Sequence, residues 1–405
     1  MLGASIAAGT SQGECVMPAK KEIVLIGAGL AHANALRALC KSVHEHARLT
    51  VVTRHPRTPY SAMLPGLMAG FYTNDDIHID VAGLCRFAGA KLVVSEVSGI
   101  DIHARRVFCE AREPIPFDIL SIDTGSTPNT HEVPGADAHA VAIKPVDKFL
   151  AGFEAARARL LQRGSAKFVV VGGGASGVEL ICTMERVLRA DLEREGLNPD
   201  AVGFTLLTRK AAILDMFSHG LGMRFERILA ARGIEVITGK NASRVEAGAV
   251  HTDCGAVVAY DELFWTVEAS AAPWLGETGL ALDERGFVAV RPTMESTSHA
   301  DVFATGDVAS FVGRAVPKAG IYAVRQSVVL AENLRLAAER APLKPFLPQK
   351  RFLQLITAGE HYAVGARGRF SFEGRWVWHL KDRIDRGFVS GFKRLAPAAE
   401  TVKSA

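Results

Sequence analysis

The chain is 405 residues long, 48% apolar and 22% charged, with a formal net charge of +4. At roughly 150 residues per domain this is material for two or three packed domains, and the composition excludes disorder, collagen or coiled coil as a description of the whole. No uninterrupted apolar run reaches the ~18 residues of a membrane span, and six scattered cysteines (Cys15, Cys40, Cys85, Cys109, Cys182, Cys254) form no CxxC pair, which argues against a zinc site, a disulfide scaffold or a local redox disulfide and suits a reducing cytoplasm.

Residues 1–16 lack a basic start and a sustained apolar stretch, so they read as a flexible extension rather than a signal peptide. Met17 leads through two lysines into Ile23–Ile26, an apolar run followed by Gly27-Ala28-Gly29 and then helix formers from Ala33 to Leu39. Phe168 to Val171 repeats this plan about 145 residues later, followed by Gly172-Gly173-Gly174 and helix formers from Val178 to Leu188. Each is a strand, a tight turn and a helix. The echo continues in order: Leu49–Arg54 with Phe204–Arg209, Gly89–Val94 with Gly233–Thr238, and Phe117-Asp118 with Tyr260-Asp261. The reading is α/β, with two Rossmann-like dinucleotide-binding domains, each carrying a β-meander before its last strand.

Beyond the second repeat come Asp301–Ala309 and a helical stretch over 321–340. Pro342, Pro345 and Pro348 mark a domain edge, and residues 352–370 alternate like a small antiparallel piece. From Arg367 to Leu395 there are eight basic and three acidic residues, so the body is near neutral and its end is basic. That is not a nucleic-acid footprint. Val377, Leu380, Ile384, Phe388, Phe392 and Leu395 draw one apolar stripe on a helix, with Lys381, Arg383, Arg386, Lys393 and Arg394 elsewhere on it and Trp376 and Trp378 at its start. This predicts an amphipathic helix that docks on an anionic membrane face. The competing reading packs the same stripe on the body or in a dimer.

Gly172-Gly173-Gly174-Ala175-Ser176-Gly177 is a complete GxGxxG. Gly172 allows the turn, Gly174 lets backbone approach a pyrophosphate, and Gly177 lets helix and strand pack closely. In the first repeat His32 replaces the third glycine. It either opens the helix–strand contact, lies over a nucleotide, or simply packs and hydrogen-bonds. The acid that usually grips a ribose diol is absent from both repeats, which read Thr53-Arg54 and Thr208-Arg209-Lys210. Arg209 could pair with a 2′-phosphate and favour NADPH, or be a solvated charge.

The two repeats, Thr124-Gly125 after a strand, and Thr305-Gly306-Asp307 near the end resemble the two-dinucleotide-binding-domain flavoproteins of the pyridine nucleotide-disulfide oxidoreductase superfamily. The general build is similar to type II NADH dehydrogenases. The wording of residues 58–72, 121–128, 317–334 and 375–389 looks closest to a branch associated with selenophosphate synthase, which would be a separate partner. The resemblance implies FAD in the first repeat and NAD(P)H in a second domain inserted into it. Boundaries would then be 17–137 and 268–341 for the FAD domain, 138–267 for the NAD(P)H domain, and 342–405 for a small C-terminal α+β segment.

By the same resemblance, Gly27 and Gly29 would face the FAD pyrophosphate, Asp307 the ribityl chain, and Thr124 and Gly125 the crossing beside the flavin. Pro59 and Tyr60 would sit near the isoalloxazine. Lys318 and Ala319 would precede a helix N-terminus near its N1/O2 edge. Glu179 would lie near the nicotinamide, the one catalytic candidate. His32 and Arg54 depart from the pattern and belong to the adenosine side of the site.

The implied activity is hydride transfer from NAD(P)H to FAD, then electron delivery to a quinone or small redox acceptor. A disulfide relay is set aside because segment 30–70 holds only Cys40. A sulfide:quinone reductase is set aside because Cys182 lies in the nucleotide-domain helix and no cysteine follows Cys254. The alternative is a flavin- and nucleotide-binding accessory or sensor, acting with a partner in selenium metabolism. The expected location is the cytoplasm, with peripheral contact to the inner membrane face through residues 375–395 if the helix docks there.

Overall fold

Ile23 to Ile26 are buried on both faces of their sheet, as a continuous apolar run in a parallel sheet must be. A computed structural model describes residues 20–39, 43–128, 130–267, 269–349 and 351–395; the expected extension 1–16, Cys15 and Cys40 lie outside the described residues. Strand Lys21–Ile26 pairs in parallel with Ala47–Thr53, setting Ile23 opposite Leu49, and on its other side with Ile119–Ile122. Lys91–Val94 lies beyond Ala47–Thr53, and Val302–Ala304 adds to Ile119–Ile122, completing a five-stranded parallel sheet. That last strand arrives from beyond the second repeat, so the second nucleotide-binding unit is inserted into the first.

The second sheet repeats the order. Val141–Ala142, Glu262–Trp265, Ala166–Val171, Val202–Leu207 and Glu235–Ile237 lie side by side, all parallel. Phe168 sits opposite Phe204 and stacks on Phe264 with ring centroids 6.2 Å apart, the centre of a buried aromatic core. Each unit carries a three-stranded antiparallel meander, Val97–Asp101 to Ile115–Pro116 in one and Ala242–Glu246 to Val257–Ala259 in the other.

The repeated Asp118 and Asp261 have one task. Each carboxylate accepts the backbone N–H near the start of the first strand, Glu22 at 2.8 Å and Lys167 at 2.7 Å, and so pins the meander's exit against that strand.

The C-terminal segment is an antiparallel sheet of Gln354–Thr357, Ala363–Arg367 and Phe370–Gly374, followed by the helix Arg375–Lys393. It is clamped to the second unit by ions. Arg224 and Arg227 both meet Glu373, while Arg186 and Arg232 meet Glu360 at 2.7 and 3.0 Å.

The apolar stripe of this helix does not form one outward face. Val377 and Phe392 are buried, and Phe388 packs on Tyr60 with ring centroids 4.8 Å apart; Ile384 is 45% exposed. Three of the five residues of the expected basic face are paired within the protein, one of them buried. Lys381 is buried against Asp385 and Ala62 O, Arg386 bonds Asp382 and Phe71 O, and Lys393 bonds Asp75. This is the competing reading, packing on the body; the pattern alone did not decide it because Lys381 and Asp385, four apart, neutralise each other on the buried side. Among the described residues no helix is long and apolar enough to cross a membrane.

Candidate functional site

The first glycine loop leaves strand Lys21–Ile26 and enters helix Leu30–Leu39. Gly27 has φ of 87°, and a Cβ there would collide with the Asp123 carbonyl oxygen, so only glycine fits. Asp123, Thr124 and Gly125 follow strand Ile119–Ile122 directly alongside, with Gly125 at φ of 72°. The Thr305-Gly306-Asp307 turn closes the same pocket: Gln326 Oε1 accepts from Thr305 Oγ1 at 2.8 Å and from Gly306 N–H at 2.6 Å. The Asp307 carboxylate accepts from Ser126 Oγ at 3.2 Å and faces Lys144 Nζ at 3.4 Å. Thr124 Oγ1 is buried there with no hydrogen-bond partner.

Helix Gly320–Ala338 starts beside this turn, right after Ala319. Lys318 lies across its approach; its amine donates to Asp307 O at 2.6 Å and Ala309 O at 3.1 Å and sits 3.4 Å from the Phe287 ring centroid. Burial lowers that amine to about 8. A glycine cradle, two helix N-termini and an orphaned buried hydroxyl fit an elongated dinucleotide such as FAD, and Gly27, Gly29, Thr124, Gly125 and Asp307 are the residues that could hold it.

His32 is not a nucleotide contact. Its ring is wholly buried, with Nδ1 2.7 Å from Gly27 O and Nε2 2.8 Å from Ser121 Oγ. A carbonyl only accepts, so Nδ1 donates and Nε2 receives the serine proton. Burial lowers the imidazole to about 4 and keeps it neutral. The ring thus bridges loop and sheet where a third glycine would bring them together. Arg54 stands at the exposed end of strand Ala47–Thr53, 3.6 Å from Glu96.

In the second loop a Cβ at Gly172 would meet Thr266 and one at Gly177 would meet Gly172 O, whereas one at Gly174 would meet nothing within 4 Å. The open side of Gly174 is therefore where a ligand backbone can approach. Arg209 is exposed beyond strand Val202–Leu207, and neighbouring Lys210 pairs with Asp215 at 3.3 Å.

Glu179 points away from this loop. Its carboxylate accepts Thr357 N–H at 2.9 Å and lies within electrostatic reach of Lys381, Asp385 and Tyr60. Burial pushes Glu179 up to about 7, and burial also raises Asp385. Lys381 stays charged because Asp385 at 2.7 Å and Glu179 outweigh its desolvation. Tyr60 Oη donates to Asp385 at 3.3 Å, so Tyr60 joins this cluster through the C-terminal helix, while Pro59 ends the short strand before it. One cation facing a half-buried and a buried carboxyl leaves a proton to be held near neutral pH. Sequence reading gave no site role to Asp123, Lys144, Gln326, Lys381 or Asp385, although all but Lys144 lie within the stretches 121–128, 317–334 and 375–389 already singled out.

Cysteine chemistry has little footing here. Cys182 is buried in helix Ala175–Arg194, and burial pushes its thiol up to about 12, so no thiolate forms near neutral pH.

The paired glycine loops, on two parallel sheets with one unit inserted into the other, define a protein built to hold two dinucleotides. The chain belongs to the family described as pyridine nucleotide-disulphide oxidoreductase, matched over residues 21–327. The cofactor pair of the sequence reading, FAD and NAD(P)H, agrees with that family. The chain is 26% identical to the NADH dehydrogenase-like protein YutJ of Bacillus subtilis, over 72% of this chain and 77% of that one. It is 24% identical to the type II NADH:quinone oxidoreductase NdhA of Mycobacterium tuberculosis, over 89% and 81%. Its fold matches the sulfide:quinone oxidoreductase from Aquifex aeolicus (TM-score 0.78, 17% identity, 94% of this chain and 93% of that one). It also matches NDH2 from Plasmodium falciparum in complex with NADH (TM-score 0.77, 12% identity, 94% and 100%).

Proposed function

We propose that the chain is an FAD-dependent NAD(P)H:quinone oxidoreductase that works without a redox disulfide. The observation that carries this reading is the pair of glycine cradles on one chain, with a proton-holding cluster of Glu179, Lys381, Asp385 and Tyr60 where the two units meet the C-terminal segment. Bound flavin supplies the two-electron chemistry. The chain's own residues do the rest. Gly172, Gly174 and Gly177 seat the pyridine nucleotide, and the Arg–Glu clamp to Glu360 and Glu373 fixes that unit against the C-terminal sheet. Reducing a quinone with NAD(P)H consumes one proton from outside the reactants, and the Glu179–Asp385 pair, sharing one lysine, is suited to hold it. The quinone acceptor is supported by the names of relatives.

Two finer readings accompany it. Trp376 (57% exposed) and Ile384 remain apolar surface on the C-terminal helix and support peripheral contact with a quinone-bearing membrane face. Flotation of the full chain with anionic liposomes at low and high salt tests this; no binding at low salt overturns it. The wording of residues 317–334 and 375–389 supports a selenophosphate synthase partner, tested by co-purification of the two chains.

Anaerobic stopped-flow mixing with NADH and NADPH tests the main reading. The flavin band is expected to bleach and to return on adding a quinone analogue. Failure of both nucleotides to bleach it overturns the proposal, and turnover below about 0.1 per second with every acceptor favours the accessory or sensor role.

A further inference from the structure

Asp123 and Thr266 occupy one position in the two repeats. Asp123 N–H donates to Ile26 O at 2.8 Å, and Thr266 N–H to Val171 O at 2.9 Å, each just past the strand beside its glycine loop. Their side chains go opposite ways. Thr266 folds its hydroxyl back onto Val171 O at 3.0 Å. Asp123 instead sends its carboxylate to the first turn of helix Leu30–Leu39, where it accepts His32 N–H at 2.9 Å. A Cβ at Gly29 or at Gly306 would stand 2.5 Å from that carboxylate, and the residue is only 3% exposed. A carboxylate therefore sits between the first glycine loop and the Thr305-Gly306-Asp307 turn, at the helix end whose N–H groups would otherwise serve a pyrophosphate.

The charged groups around it do not neutralise it. Asp307 faces it from the turn, and Lys144, ahead of Pro145, lies 3.4 Å from Asp307. The His32 ring is turned to Gly27 O and Ser121 and is neutral. Burial first, and Asp307 after it, push the Asp123 carboxyl up to about 7, against the pull of the His32 and Ala31 N–H groups and Lys144.

We propose that Asp123 links flavin binding to a proton: the FAD pyrophosphate settles beside the neutral acid, so a chain with ionised Asp123 takes up one proton as FAD binds. Two anions at one helix end, one of them a buried carboxylate, repel strongly, whereas a carboxylic acid can donate a hydrogen bond to a phosphate oxygen. The inference rests on FAD occupying the first repeat. It gives that repeat a pH-sensitive grip that the second, with Thr266, lacks.

The test is the FAD dissociation constant of the full chain, read from flavin released on dilution between about pH 6 and pH 9. Wild type is expected to hold FAD evenly at the acid end and to lose about tenfold in affinity per pH unit above pH 7. Asp123→Asn, whose amide oxygen can still accept His32 N–H, is expected to show a flat profile. Asp307→Asn, altering the other carboxyl of the pocket, is expected to keep the slope. Calorimetric titration in two buffers of different ionisation enthalpy is expected to count about one proton taken up by wild type at pH 8.5 and none by Asp123→Asn. A flat wild-type profile, or a sloping Asp123→Asn profile, overturns the inference and leaves FAD binding intact. Absence of FAD binding at every pH overturns both.

Discussion

Thr357 donates its backbone N–H to the Glu179 carboxylate at 2.9 Å, so the residue two places beyond the second glycine loop is held by the C-terminal sheet. The inserted unit and the C-terminal segment are thereby joined through a half-buried acid.

That acid gives the first prediction. Its folded value of about 7 exceeds the ordinary 4.5, so between those limits the folded chain keeps a proton that the unfolded chain has lost. The stabilisation is complete below pH ~4.5 and is lost as pH rises through 7. Glu179→Gln removes this dependence and should gain ~2 kcal/mol on wild type between pH 5 and pH 8. Thermal melts of both proteins across that range check it; parallel curves would refute it.

Gly174 and Gly177 separate binding from folding. A Cβ at Gly177 collides with Gly172 O, so Gly177→Ala should unfold the loop and lower stability by several kcal/mol. A Cβ at Gly174 meets nothing within 4 Å, so Gly174→Ala should melt like wild type yet bind NAD(P)H at least tenfold more weakly. Melting curves and nucleotide titrations of the two variants decide it.

The doubled fold was legible because each repeat carries the same local signals: a β-branched run, glycines, helix formers, and an aspartate whose carboxylate pins the first strand. Asp307 was legible as part of a motif. The cluster around Glu179 was not, since Lys381 and Asp385 lie some 200 residues away and read as ordinary helix-surface charges until the helix is docked. His32 stayed open between three roles for a related reason: Ser121, which fixes the ring, is 89 residues distant. Pairings of that kind carry no local periodicity.

Asp307 supplies the third prediction. Ser126 and Lys144 hold its carboxylate toward the first glycine loop. Asp307→Ala should lower FAD affinity by ~1–3 kcal/mol, the worth of a buried hydrogen bond to a charged acceptor. Flavin content after gel filtration measures it, and full retention would remove Asp307 from the flavin site.

The fourth prediction concerns nucleotide choice and Arg209, exposed beyond the strand that follows the second glycine loop. If its guanidinium meets a 2′-phosphate, Arg209→Glu should shift the kcat/KM ratio of NADPH to NADH at least tenfold toward NADH. An unchanged ratio would remove Arg209 from nucleotide recognition.

Lys381 offers the most demanding case. It is buried, pairs with Asp385 at 2.7 Å, donates to Ala62 O at 2.9 Å, and is the cation that Glu179 also faces. Replacing it with methionine preserves most of the volume but leaves buried Asp385 and half-buried Glu179 without a counter-charge. Breaking one side of a buried pair costs ~3–5 kcal/mol. Both acids would hold their protons to higher pH, so the deficit should be small near pH 5 and grow toward pH 8. Adding Asp385→Asn to Lys381→Met removes one of the two stranded charges and should restore about half of the lost stability at pH 8. Urea midpoints of wild type, single and double variants at the two pH values provide the measurement. A single variant equally destabilised at both, with no recovery in the double, would mean that Lys381 stabilises through packing alone.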